Sequence, residues 1–386
     1  MEMHPDCREY PWDEVADLSR FDTPAWTGRL LRGLDSDGPG GAASLVDCLT
    51  LATAPCLKRL QELEKELTAR FVEKDDIILM VIVCAIAHQP LLMVGKPGTA
   101  KSKIILRFCE GLGLGRAGEG GKHHTLFQYL LNAFTEPDEV LGPLDIEALR
   151  ANPPEFRRFR SGSITDAEVI FMDEVFRANS AILNALLSVI NERQVFEGGK
   201  ITTARARLIY GASNNTPTAR QLEDLRAFYA RFIIRVESTF VSLEFAPDGD
   251  ATSSRQKLLE RGWENEVREL RAGYRPEGSA MPQMACLNDI LLLNRAVAEL
   301  WGGAVLRDRG FLRLYHKLVA VLAGGESPVC EIDDRKFVRL MVVLRAHSLY
   351  RHNGPPEKSD LAVLRHIWDD LDTKLRVAEE VRKFIS

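Results

Sequence analysis

Between residues 76 and 240 the chain alternates short apolar runs with stretches whose apolar residues recur every three or four positions. Leu91–Val94, Glu168–Met172, Ala206–Gly211 and Phe232–Glu237 have the length and near-continuous apolarity of strands buried on both faces. The helical stretches between them predict a parallel sheet with helices on both sides, an α/β layer. From about residue 250 onward nearly every segment has helical spacing, including "SSRQKLLERGWENEVRELRAGY", "LNDILLLNRAVAELWGG", "FLRLYHKLVAVLAG", "DDRKFVRLMVVLRAHSLY" and "LAVLRHIWDDLDTKLRVAEEVRKF". An all-α region therefore follows the α/β one, across a join at "FAPDGDATSS". Upstream, Asp35–Ser44 reads as turn and linker, and Leu45–Phe71 as helix broken at Pro55. The expected organisation is an extension over 1–62, partly helical and a candidate partner-binding segment, an α/β core over 63–242, and a helical region over 243–386.

Composition narrows this picture. A chain of 386 residues with 45% hydrophobic content is expected to form two or three ordinary globular domains. The longest apolar run, Ile77–Ala87, is too short to cross a bilayer and reads as a buried helix. A net charge of -5 gives no global signal for nucleic acid. The seven cysteines are scattered, with no C-x-x-C pair, which points to reduced thiols in a cytoplasmic protein. The start, "MEMHPDCREYPWDEV", lacks the basic and apolar parts of a signal peptide.

The candidate chemistry begins at "LLMVGKPGTAKS", Leu91 to Ser102. An apolar strand, a Gly/Pro turn and an amphipathic helix surround a near match to G-x-x-x-x-G-K-[ST], with Ala100 where glycine is usual. Gly95, Lys96, Pro97, Gly98, Thr99 and Ala100 would wrap phosphates with backbone N–H groups at a helix start. Lys101 would reach the outer phosphates and Ser102 would ligate Mg²⁺. Gly98 supplies the permissive conformation, and Ala100 is expected to have ordinary helical dihedrals, so Ala100→Gly should be nearly neutral for nucleotide affinity and should lower stability by about 0.5–1 kcal/mol. An ordinary glycine turn is the alternative.

"EVIFMDEV" then ends an apolar strand in two carboxylates. Beside a phosphate loop, Asp173 would hold Mg²⁺ and Glu174 would orient or deprotonate the attacking water. A merely solvated strand end is the alternative. "ARLIYGASNN" ends a further strand, so Asn214 could orient the same water, or simply open a polar turn.

Taken in order, "VGKPGTAKS", "FTEPDEVLGPLDIEAL", "AEVIFMDEVFRANSAILNALLSVINERQV", "GASNN" and "RFIIR" resemble the MoxR branch of the AAA+ ATPases over Phe71 to Arg235. "IDDRKFVRLMVVLRA" and "SDLAVLRHIWDD" are similar to lid segments of the RavA-type members. Alanine before the lysine is usual in that family. The resemblance implies an AAA+ αβα core with an all-α lid, ATP and Mg²⁺ as cofactors, and a hexamer-like homo-oligomeric ring that remodels or matures partner proteins. It assigns the sensor asparagine to Asn214, the arginine lent to a neighbouring subunit to Arg231, and the lid arginine to Arg335. The usual Asp-Arg-Phe reads Ala230-Arg231-Phe232 here, which leaves Arg235 and Arg226 as substitutes. It further implies a pore-facing insert at Thr135–Thr165, a hairpin near Val195–Ala206, and partners with von Willebrand factor A domains. The RavA-type β-rich insert is not seen between residues 340 and 360.

Other signals carry less. Gly113-x-Gly115-x-x-Gly118 follows a helix rather than a strand and reads as a loop. His123-His124 lacks metal-ligand spacing. Arg157, Arg158 and Arg160 read as a solvated basic face. A nucleic-acid-dependent motor and a nucleotide-dependent scaffold with little turnover are the rival classes. The acidic balance weighs against the first, and intact Lys101, Asp173 and Glu174 against the second.

Overall fold

The computed structural model describes residues 42–116, 125–152, 154–197, 200–217, 225–242, 254–271, 281–300, 308–325 and 328–386. In chain order the elements are α1 (Ala42–Arg70), α2 (Asp75–Ile86), β1 (Leu91–Val94), α3 (Lys101–Gly111), β2 (Gly115–Arg116), β3 (Thr125–Leu130), α4 (Pro137–Leu141), α5 (Ile146–Arg150) and β4 (Val169–Asp173). A 3₁₀ turn (Val175–Arg177) leads into α6 (Ser180–Glu192), β5 (Gln194–Glu197), β6 (Lys200–Thr203), β7 (Leu208–Ser213) and β8 (Ile234–Glu237). Then come α7 (Ser254–Arg271), α8 (Leu287–Glu299), α9 (Arg309–Ala323), α10 (Asp334–His352), a 3₁₀ segment (Lys358–His366) and α11 (Leu371–Ile385).

Six strands form one sheet in the order β2-β3-β4-β7-β1-β8, and every pairing in it is parallel. The four strands expected from apolar runs are all present, β1 with the expected bounds and the other three with one or both ends shifted. β1 and β7 are buried at every position, which is why their sequences read as unbroken apolar runs. β2 and β3 were not anticipated. β3 is buried only over its first half, and its edge neighbour β2 is two residues long. Gly115, expected in a loop, therefore starts a strand, while Gly118 and His123-His124 lie outside the described residues. The separate hairpin pairs β5 with β6, with Phe196 opposite Ile201; its turn at 198–199 is likewise outside them.

Chain contacts divide the protein into two compact units: residues 66–81 and 88–282, and residues 1–65, 82–87 and 283–386. The first holds the sheet and also α7. The second holds the C-terminal helices together with most of α1, so the described part of the 1–62 segment is built into it. A buried ion pair, Arg59 to Asp289 at 2.6 Å, and a hydrogen bond from Tyr350 Oη to Glu64 at 2.8 Å tie α1 there. Breaking such a pair by removing one partner is expected to destabilise strongly, because the survivor is a buried uncompensated charge.

Two helical expectations need correction. α1 runs through Pro55 without a break. Leu49, Ala52, Cys56, Leu60, Leu63 and Leu67 form one buried stripe across it. Burying each leucine contributes about 1.5–3 kcal/mol, which together outweighs the roughly 3 kcal/mol penalty of an interior proline. The "LAVLRHIWDD…" stretch, expected as one helix, is instead a 3₁₀ segment followed by α11, whose cap Asp370 accepts from Thr373 N at 2.7 Å. Arg157 and Arg160 are exposed, as a solvated basic face requires, and Arg158 is half-buried, but all three are engaged. Arg157 donates to Asp145 at 2.9 Å, Arg158 to Gly142 O at 2.7 Å, and Arg160 to Thr203 O at 2.6 Å. Residues 340–360 are helix and turn, with no strand. The five cysteines described at side-chain level are buried, and no described helix is long and apolar enough to cross a membrane.

In the helical unit, Asp360 is 1% exposed and lies 2.7 Å from His347 Nδ1, 3.1 Å from His352 Nε2 and 2.6 Å from the Glu357 N–H. Burial alone would raise its carboxyl; hydrogen bonds from His347, Glu357 N–H and His352 outweigh burial and hold it below the usual aspartate value. Its contribution is thus complete above about pH 4, the unfolded value, and is lost as pH falls through the lower native one. The Tm gap between wild type and Asp360→Asn should be widest near neutrality and narrow below pH 4. A gap equal at pH 7 and pH 3 would overturn this assignment.

Candidate functional site

Three neighbouring strands, β4, β7 and β1, end side by side at the carboxyl edge of the sheet, where open parallel sheets hold ligands. β1 runs into the glycine loop. Gly95 is pressed against β8: a Cβ there would lie 2.0 Å from the Ser238 carbonyl oxygen, so only glycine fits. Gly98 has φ +81°, the left-handed turn expected of it. Ser238 N donates to Val94 O at 2.7 Å, Ser238 Oγ to Thr99 O at 2.7 Å, and Thr99 Oγ1 to Lys96 O at 2.8 Å. No sequence signal had marked Ser238.

Ala100 overturns its expectation. It has φ 68° and ψ 13°, left-handed rather than helical, and caps α3 without a side-chain acceptor. The first-turn N–H groups of α3 therefore open, uncapped by side chains, beside a cavity of about 470 Å³. An L-residue in this conformation is disfavoured by about 1–2 kcal/mol, and glycine by roughly nothing. Glycine recovers that strain but loses about 0.4–1 kcal/mol through the unfolded chain. Ala100→Gly should accordingly raise Tm by up to about 4 °C rather than lower it, as read by thermal denaturation. A fall in Tm would show the strain to be absent.

Lys101 is 6% exposed and its Nζ donates to Gly95 O, to Lys96 O at 3.1 Å and to Asn214 Oδ1 at 3.0 Å. Burial lowers its pKa, with Asp173 and Glu174 acting in the opposite sense. Ser102 Oγ donates to Asp173 Oδ2 at 2.6 Å. A hydroxyl and a carboxylate in contact are the hard oxygen donors that Mg²⁺ takes, so these two residues fit that ion. Glu174 is 8% exposed and left-handed at φ 54°, where β4 turns into the 3₁₀ turn. Asn214 Nδ2 donates to its Oε1, and Arg177 Nε lies 3.4 Å from its Oε2. Two left-handed non-glycine residues at one cavity are strain of the kind that clusters at functional sites.

Pro97 to Lys103, Asp173, Glu174 and Asn214 line the cavity, so the sheet brings the loop, the two carboxylates and the asparagine together. Arg70 and Phe71 beside the end of α1, Leu130 from β3, and Leu258 and Gly262 from α7 complete the wall; no motif had pointed to them. The arginines fare differently. Arg231 is half-buried in the turn after the helical residues 225–229, its N–H on Phe228 O at 3.1 Å, and does not line the cavity. Arg226 is exposed. Arg235 is 2% exposed on β8, with its guanidinium 4.1 Å from the Tyr229 ring centroid and Nη2 donating to Tyr229 O at 3.3 Å. A cation so enclosed is not presented to another molecule, which removes Arg235 as a substitute. Arg335 is exposed in the first turn of α10, in the helical unit, and is not among the cavity-lining residues.

A family model, described as the MoxR domain in the MoxR-vWA-beta-propeller ternary systems, matches residues 58–280. Two uncharacterised proteins of Methanocaldococcus jannaschii are similar. One is 28% identical over 84% of this chain and 75% of its own length, the other 29% identical over 84% and 74%. A structural protein of Acidianus two-tailed virus is 29% identical over 155 residues, 40% of this chain and 23% of that protein. Among solved structures, a candidate ATPase from Cytophaga hutchinsonii matches with a TM-score of 0.55 over 86% of this chain and 95% of its own, at 14% identity, a likeness of fold.

Proposed function

The chain belongs to the MoxR family of AAA+ ATPases, and on that footing we propose that it hydrolyses Mg²⁺-ATP to remodel or mature a partner protein. The observation that supports hydrolysis most is that Lys101, the Ser102–Asp173 pair and the Glu174–Asn214 pair line one cavity at adjoining strand ends. Bound between Ser102 and Asp173, Mg²⁺ would neutralise charge on the phosphates. Lys101 and the first-turn N–H groups of α3 grip the phosphate chain. Glu174 Oε accepts a proton from the attacking water, and Asn214 fixes the carboxylate for that task. Arg177 holds the second carboxylate oxygen in place.

The wider reading has several parts. Arg231 is lent to a neighbour's pocket within a hexameric ring in the cytoplasm, and Arg335 senses the outer phosphate from the lid. The working division into an extension (1–62), a core (63–242) and a lid (243–386) concerns what moves during turnover, which compactness does not define. The matched model's own description names vWA and β-propeller systems, which favours a von Willebrand factor A protein as partner over nucleic acid. RavA-type kinship rests on the lid segments alone.

The test is calorimetric. Wild type should bind ATP and release phosphate with Mg²⁺. Lys101→Ala should bind at least tenfold more weakly, since hydrogen bonds to a charged group contribute about 1.5–3 kcal/mol each. An unchanged Kd would remove Lys101 from the site.

A further inference from the structure

The helical unit carries a charged surface none of whose residues lines the candidate nucleotide cavity. On α9, Arg309, Arg313 and Lys317 follow one another at four-residue spacing and all three are exposed. With Leu312 and His316 they line a groove of about 350 Å³. α9 is the only numbered helix of that unit with no acidic residue in its length. Its own N-cap, Asp308, is engaged by the N–H groups of Gly310 and Phe311. Like charges four apart on a helix repel by a few tenths of a kcal/mol per pair, so an anionic cover would relieve a built-in strain.

We propose that this groove is the docking site of the chain's own acidic amino-terminal segment, residues 1–41. From Glu2 to Asp22 that segment carries seven acidic residues against Arg8 and Arg20, with Tyr10, Trp12 and Phe21 to meet Leu312. It joins α1 at Ala42, in the same compact unit as α9. Forty-one residues reach more than about 100 Å when extended, whereas a unit of this size is roughly 40 Å across, so the whole of α9 lies within range. A tether of this length holds its end near millimolar effective concentration, which favours the segment over an outside acidic peptide of equal affinity.

Full-length protein allows a direct test. Limited chymotrypsin cleavage after Trp12 and Phe21 should be about fivefold faster or more in Arg309→Glu/Arg313→Glu/Lys317→Glu, the loss expected for a small set of exposed ion pairs. Asp13→Lys/Glu14→Lys/Asp17→Lys should give the same acceleration with α9 unaltered, and wild type in about 0.5 M salt should reproduce it. Combining both sets should restore slow cleavage. A carbodiimide should join Lys317 to an acidic residue of 2–22 within one chain. Unchanged cleavage in both single sets, or crosslinks only between differently labelled chains, overturns the proposal. So does loss of DNA retention in the α9 variant with cleavage unaltered, which would assign the groove to phosphates.

Discussion

Glu174→Gln is expected to bind ATP as wild type does and to turn it over at least a hundredfold more slowly. The amide keeps the length of the side chain and its capacity to accept from Asn214 Nδ2, so the cavity wall is preserved. It loses only the ability to take a proton, a capacity that contributes about 10²–10⁴-fold in general-base catalysis. Pre-steady-state mixing with Mg²⁺-ATP separates the two quantities, because binding amplitude should survive while phosphate release vanishes. Wild-type turnover in this variant would mean that Glu174 is a buried structural carboxylate and that the base lies elsewhere. The stalled variant is also the natural bait for the partner protein.

Arg231→Ala should show the second large effect, a loss of 10³-fold or more in turnover with ATP affinity unchanged, if the residue stabilises transition-state charge in a neighbouring subunit. The structure narrows the choice of arginine, because Arg235 is sealed against Tyr229 while Arg231 sits half-buried in a surface turn. Mixing Arg231→Ala with Lys101→Ala should restore activity. A subunit defective at Lys101 can still lend its arginine to the intact pocket of a subunit defective at Arg231. Turnover should also rise steeply with protein concentration. Strict proportionality down to high dilution, with monomer mass under ATP, would rule out a shared site. A dead mixture that still forms rings would move the role to Arg226, which is exposed.

Much of this cavity's lining was readable from residue order, because the residues singled out there sit at strand ends and one helix start. A strand buried on both faces has nowhere to put a polar residue, so β1, β4 and β7 announce themselves, and whatever follows them falls at the same edge of the sheet. β3 escaped because its second half, from Gln128, is largely exposed and its pattern is mixed. The helix through Pro55 escaped because local propensity lost to a buried stripe that no short window contains. The backbone of Ala100 could not be read at all. Its left-handed turn belongs to a loop held by Ser238, 138 positions downstream, through Gly95 and Thr99. Arg70 and Leu258 reach the cavity wall only through tertiary packing, so no local pattern marks them.

Strand β1 lies between β7 and β8, with Leu91 opposite Tyr210 on one side and Ile234 on the other. The ribosome therefore delivers the glycine loop that follows β1 long before it delivers the residues that hold it. Leu91 and Ile234 are 143 positions apart, and at about 5–20 residues per second the wait is roughly 7–30 s. Over that interval the uninterrupted apolar segment from Ile77 to Ala87, buried in the finished protein, has emerged without most of the chain that buries it. Parallel pairings between distant segments are also slow to form and prone to aggregation. Nucleotide cannot help an unfinished chain, because its binding loop is closed by Ser238, among the last residues of the sheet region to emerge. Production of this protein should therefore depend on translation speed and on chaperones that bind apolar segments, and adding ATP should rescue folding only after residue 238 has left the exit tunnel.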